Sequence, residues 1–237
     1  MRRFLIVFFF TNLLVIRVLA QDKTPKYLED QYSWYLSLNL GNALGKYHDI
    51  LKESEKAGIK GGIVIGGLMN PYKRKHPSTV FYGAEFGYQS EGRDGVTLTN
   101  AEGDFYVSNN AFWLNGLARY RPVLWSSKFN PYADAFFGAK LIKTSVVEQL
   151  GQDETQVLDG IARIVPNYGL GVGLGIKLFG QLKNNYLDIG VYYQQADATK
   201  IVKRNSVNIN SDYRVSFKQV LTNTNQIVIK IGITGFL

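Results

Sequence analysis

The amino-acid sequence predicts an all-β fold: an eight-stranded antiparallel transmembrane β-barrel with short periplasmic turns and long extracellular loops. Three observations carry this. Apolar residues recur at period two over stretches of about ten residues, the length that crosses a bilayer as a tilted strand. The alternate positions hold glycine, asparagine, serine and isolated charges, unlike the Lys- and Thr-rich outer face of a soluble sandwich. Beyond Asp30 no run of apolar residues is long enough for a membrane-spanning helix.

The chain has 237 residues, 46% of them apolar, 14% aromatic and 19% charged, which is too oily and too weakly charged for disorder. It contains no cysteine, which removes a disulfide scaffold, a thiolate zinc site, a thiol nucleophile and a lipoprotein anchor. Residues 1–20, MRRFLIVFFFTNLLVIRVLA, place Arg2 and Arg3 before an apolar run that Arg17 interrupts and that ends in Val18-Leu19-Ala20. That is the pattern of a secretory signal peptide cleaved after Ala20, leaving residues 21–31 as a periplasmic tail and 32–237 as the barrel. Cleavage lowers the formal charge of +8 by three. What remains is mild and dispersed, so no nucleic-acid partner is expected.

The strands follow in order. Tyr32, Trp34, Leu36, Leu38 and Leu40 form one oily face, with Ser33, Tyr35, Ser37 and Asn39 on the other. A weaker strand lies near Gly61–Met69. The dyad returns in Val80 to Tyr88 against Phe81, Gly83, Glu85, Gly87 and Gln89, in Phe112 to Tyr120 against Trp113, Asn115, Leu117, Arg119 and Arg121, and in Ala133 to Leu141 against Asp134, Phe136, Gly138 and Lys140. It is clearest from Tyr168 to Leu178, interleaved with Gly169, Gly171, Gly173, Gly175 and Lys177, then in Leu187 to Tyr193 opposite Asp188, Gly190 and Tyr192. The last strand sets Ile227, Ile229, Ile231 and Ile233 against Val228, Lys230, Gly232 and Thr234.

Eight strands enclose a lumen just wide enough for side chains, so the glycines must sit beside bulky neighbours such as Phe136 and Tyr186. Lumen acids Glu85, Asp134 and Asp188 are expected to pair with Arg119, Arg121, Lys140, Lys177 and Lys230, because an unpaired charge there is costly. Tyr32, Trp34, Tyr82, Tyr88, Tyr120 and Tyr168 stand toward strand ends, as an interfacial girdle requires. Short connections are expected at 70–78, 121–130 and 180–185, and long ones at 43–60, 90–104, 143–166 and 196–223. The first long connection carries a helical composition over Tyr47–Gly58, and the last alternates weakly, as a hairpin extending its two flanking strands or as a ninth strand.

The stretch Gly169-Leu170-Gly171, the run Asn185-Tyr186-Leu187-Asp188-Ile189-Gly190, Asn205-Ser206-Val207, Thr224-Asn225-Gln226 and Ile229–Gly232, together with Asn130-Pro131-Tyr132 ahead of Gly138, resembles the small outer-membrane β-barrels of the Bacteroidota, often called porin-like, and the similar OmpA/OmpX-like barrels. The resemblance implies surface anchoring, envelope integrity, adhesion or an accessory-subunit role. Such chains commonly end in an aromatic residue, whereas here Phe236 is penultimate and Leu237 last.

Chemistry-bearing residues are few. His48-Asp49 in the first long loop is the one pair that could serve an acyl-modifying enzyme of the lipid A class, although no Ser adjoins it. His76 follows Lys73-Arg74-Lys75 in an opposite-side turn, so the two histidines cannot share a metal. The Gly-x-Gly series at 169–175 is spaced for a strand and not for a nucleotide fingerprint. Glu148, Asp153, Glu154 and Asp159 make the third long loop acidic; Lys200, Lys203, Arg204, Arg214 and Lys218 make the fourth basic, which suits lipopolysaccharide phosphates. The expectation is a non-enzymatic barrel in the outer membrane of a Gram-negative bacterium, with no catalytic, cofactor-binding or metal residue. Its partners are outer-membrane lipid and a larger envelope complex. The alternatives are the acyl-modifying enzyme, a small-solute pore and a soluble lipocalin-like binder.

Overall fold

The computed structural model describes residues 32–52, 60–71, 79–96, 104–122, 128–149, 155–178, 185–203, 206–210 and 214–236. The expected signal peptide, the tail 21–31, His76, Asp153, Glu154, Arg204 and Leu237 lie outside these residues. Eight long strands form a closed antiparallel barrel: β1 (Tyr32–Ala43), β2 (Gly61–Met69), β3 (Val80–Val96), β4 (Asp104–Tyr120), β5 (Phe129–Gln149), β6 (Thr155–Lys177), β7 (Asn185–Ala196) and β12 (Gln226–Phe236). Each pairs with its chain neighbour, and β1 closes the ring on β12, with Leu38 opposite Ile231 on one side and Ile63 on the other. Closure leaves no free sheet edge within the barrel wall.

Every predicted strand is present with the predicted face outward. In β1 and β7 the aliphatic positions face outward and the polar positions are mostly buried, the reverse of a water-soluble protein. Leu38, Leu114, Phe137 and Leu170 are each more than three-fifths exposed, while Glu85, Asn115, Arg119 and Lys140 are buried. A soluble lipocalin-like binder, oily inside and polar outside, does not have this distribution.

Inside, Tyr35, Phe81, Trp113, Phe136 and Tyr192 interlock with Val64, Leu68 and Val228. Glycines make the room. A Cβ at Gly171 would fall into the Tyr192 ring, and one at Gly87 into the Trp113 indole. Close approach of large rings, and not channel width, therefore explains the alternating glycines.

Two connections differ from expectation. The segments expected as long loops at 90–104 and 143–166 are largely ladder: β3 and β4 stay paired to Val96–Phe105, and β5 and β6 to Gln149–Thr155. The first extension begins at a bulge between Ser90 and Arg93, and the second carries one further along, between Val146 and Val147. A bulge shifts the side-chain alternation by one residue, so a strict period-two pattern ends there although the strand continues. Gly92 takes the left-handed conformation (φ 106°) that the first bulge requires.

The last connection is a hairpin, not a ninth barrel strand. β8 (Ala198–Val202) pairs with β11 (Gln219–Asn223), and the short β9 (Asn208–Ile209) with β10 (Val215–Ser216), both outside the barrel sheet. The helix expected over Tyr47–Gly58 is seen as α1 (Lys46–Lys52); residues 53–59 lie outside the described set. Its buried positions, Tyr47, Ile50 and Leu51, share one helical face and pack on Ala43 and Ile201.

Because the site at Gly171 has no room for a side chain, Gly171→Val is expected to destabilise the barrel by at least ~2 kcal/mol, read as a lowered urea midpoint of the refolded protein in micelles.

Candidate functional site

The inward residues stack in three polar layers. Nearest the chain termini, the Arg119 guanidinium donates to both oxygens of Asp134 at 2.7 and 2.8 Å and lies 3.8 Å from Asp188. The Tyr192 hydroxyl donates to Asp134 at 2.9 Å, Thr234 donates to Asp188, and the Tyr132 ring lies 3.9 Å from the guanidinium carbon. In the middle layer Glu85 accepts from Lys230 at 2.7 Å, Tyr35 at 2.9 Å, Asn115 at 3.0 Å and Trp113 at 3.3 Å. Four donors for one carboxylate compensate its removal from water. A cavity of about 10 Å³ between Glu85, Gln194 and Lys230 holds about one water molecule.

The upper layer is made of amides. Gln226 donates to Gln194, and Gln89 donates to Glu91 at 3.1 Å and to Gln226 at 3.3 Å. Lys140 lies 4.0 Å from Glu91, and its ammonium stands 5.9 Å from the Tyr47 ring of α1, which covers this end. Side chains thus occupy all three layers of the described lumen.

Of the expected lumen pairings, Arg119 with Asp134 and Lys230 with Glu85 are present. Arg121 is buried with its guanidinium 5.3 Å from the Phe81 ring centroid. Lys140 takes Glu91, which continues the inward parity of Glu85 and Gln89 into the segment expected as a loop. Lys177 is half-buried and makes no ion pair among the described residues. The amide layer was also missed, although Gln194 and Gln226 continue the inward parity of Tyr192 and Val228.

Above the barrel, the extended parts of β3 to β6 form a four-stranded ribbon. Its inner face contributes Phe105, Val107 and Val146, which pack on Val202, Val207 and Ile209 of the hairpin segment, with Leu158, Ile161 and Phe217 at the margin. Glu148, expected in a solvated acidic loop, is buried within β5, whereas Asp159 is exposed and accepts the Gly160 amide at 2.7 Å. Lys200, Arg214 and Lys218 are exposed, and Lys46 donates to the Leu221 carbonyl at 3.4 Å. His48 is half-buried and Asp49 exposed on α1; among the described residues no hydroxyl or carboxylate is hydrogen-bonded to the imidazole. No described cluster of His, Asp and Glu could hold a metal ion.

No protein-family model matches the chain, and no curated protein matches it. Among solved structures it is similar to Ail, the attachment invasion locus protein of Yersinia pestis, at 9% identity with 87% of this chain and 97% of that one covered and a TM-score of 0.45. It is similar to a major outer membrane protein of Thermus thermophilus at 13% identity, 87% and 99% coverage and a TM-score of 0.48. The N-terminal β-barrel domain of Pseudomonas aeruginosa OprF matches at 10% identity, 88% and 98% coverage and a TM-score of 0.36. The likeness is one of fold alone.

Replacing Arg119 by Met strands Asp134 and Asp188 in the lumen and is expected to destabilise the barrel by ~3–5 kcal/mol. The double variant Arg119→Met/Asp134→Leu recovers part of that loss, and a double-mutant cycle on urea midpoints measures the coupling.

Proposed function

We propose that this chain is an integral outer-membrane barrel protein of a Gram-negative bacterium that acts without catalysis, through the head above the barrel, in a structural, adhesive or accessory-subunit role. The observation that carries the reading is the inverted burial. A continuous outward belt of Leu, Ile, Val and Phe encircles buried ion pairs, which is stable where hydrocarbon and not water surrounds the wall. Tyr32, Trp34 and Tyr82 stand on the outer face at the termini end, and Tyr88, Tyr168 and Tyr193 at the head end, as interfacial girdles. Lys46 and Lys200, beyond the upper girdle, suit lipopolysaccharide phosphates. The specificity sits in the head, because the lumen is filled and His48 has no catalytic partner among the described residues.

The protein extracted from outer membranes is expected to run at different gel mobilities when heated and unheated. Leu38→Arg, in the middle of the apolar belt, is expected to lose ~2–4 kcal/mol in a bilayer. Release with soluble periplasmic proteins and no heat-dependent mobility would reject the membrane reading. Co-purification of a stoichiometric partner in mild detergent separates an accessory subunit from an independent adhesin.

A further inference from the structure

Strand β6 is an edge strand over its upper half. From Thr155 to Pro166 it pairs only with β5, because pairing with β7 begins at Asn167 opposite Ala196. Pro166, which lacks an N–H, stands at the fork, and its carbonyl takes the Asp197 amide at 3.4 Å as the chain turns into β8. Between 155 and 165 no other backbone hydrogen bond joins this edge to a described residue. The segment is exposed at almost every position, and Ile164 is the most exposed large apolar side chain described, at 73%. An open edge of this length is a template for another strand.

The edge is complementary to itself. Two identical strands paired antiparallel must match residues of the same parity, so each candidate register has one residue position on its dyad. The charged residues of the segment are Asp159 and Arg163, and neither makes an ion pair among the described residues. Their cross-strand neighbours on β5 are Val146 and Ile142, so β5 supplies no counter-charge. With Ile161 on the dyad, Asp159 of each copy faces Arg163 of the other, twice, and Gly160 faces Ala162 without crowding. A shift of two residues in either direction places both charges opposite uncharged residues. The bulge at Leu158 interrupts the β5–β6 register, which resumes with Val147 opposite Val157.

We propose that the β6 edge binds a second copy of this chain by antiparallel pairing centred on Ile161, held in register by reciprocal Asp159–Arg163 pairs. The dyad of such a pairing is perpendicular to the sheet and reverses every direction lying in it, including the barrel axis. The two barrels therefore point at each other, which places them in facing bilayers. This deepens the adhesive reading and rests on it: the adhesion is homophilic.

The full-length protein in micelles is followed by sedimentation, and two vesicle populations carrying it are mixed and scored for tethering. Wild type is expected to dimerise and to tether vesicles. Arg163→Asp and Asp159→Arg, each placing like charges opposite one another, are each expected to remain monomeric. Their equimolar mixture restores complementarity and is expected to dimerise, as is the double swap Asp159→Arg/Arg163→Asp. Ile161→Cys, in a chain with no other cysteine, is expected to give a disulfide-linked dimer under mild oxidation, because residues opposite each other across the dyad have Cα atoms about 4.5–5.5 Å apart, within the span a disulfide bridges. Heat-dependent mobility of each variant shows that it is folded, and if Asp159→Arg does not fold the cysteine cross-link decides. A heat-modifiable wild type that stays monomeric and does not cross-link overturns this proposal while leaving the membrane reading intact. So does a dimer that Arg163→Asp leaves unchanged. A dimer that forms within one vesicle population and tethers none overturns the facing-bilayer arrangement.

Discussion

A ring of eight strands encloses about as much space as its own inward side chains occupy, and that single constraint organises the molecule. No water column can run through such a lumen to solvate charges, so each acid inside has to be met by a donor that reaches it from another strand. Glu85 on β3 is satisfied by β1, β4 and β12 at once, and Asp134 on β5 by β4 and β7. These bonds tie non-adjacent parts of the wall across the interior. They fix the register of the ring as firmly as the ladder does, because a slip of one residue would turn every charge into the apolar belt.

The same constraint accounts for the glycines and the aromatics together. Rings large enough to fill the centre, such as Tyr192, Tyr132 and Trp113, need a facing wall with no Cβ, and the alternate glycines of β6 and Gly87 of β3 supply it. The wall is thus thin where the core is thick. On the outside, no partner side chain fills the gaps, and branched aliphatics take the exposed positions where lipid replaces a protein core.

The head escapes this constraint and shows the consequences. Once the strands rise above the closed ring, bulges at Ser90/Arg93 and Val146/Val147 bend the ribbon inward over the hairpin, giving it a small apolar core of its own. The hairpin packs on the inner face of the ribbon, while β6 from Thr155 to Val165 has no backbone partner but β5 among the described residues. The paired lumen and the head are therefore held together by different means along the axis: buried ion pairs and hydrogen bonds below, a small apolar cluster above.

The sequence by itself determined the barrel class, the face each strand turns outward, and which acids and bases share the lumen, because membrane strands alternate strictly and a narrow lumen admits charges only on its inward face; that the last connection is a hairpin and not a ninth strand, and which acid meets which base, the tertiary structure decided. The sequence did not determine how far the strands run. The segments 90–104 and 143–166 read as loops until the partner strand is known, because a bulge interrupts the alternation in each, and Glu91 falls in the first of them although it faces Lys140. Nor could a single chain show that β7 leaves β6 at Pro166. An edge is open or closed according to which strand lies beside it, and that neighbour is chosen by tertiary folding and not by local sequence.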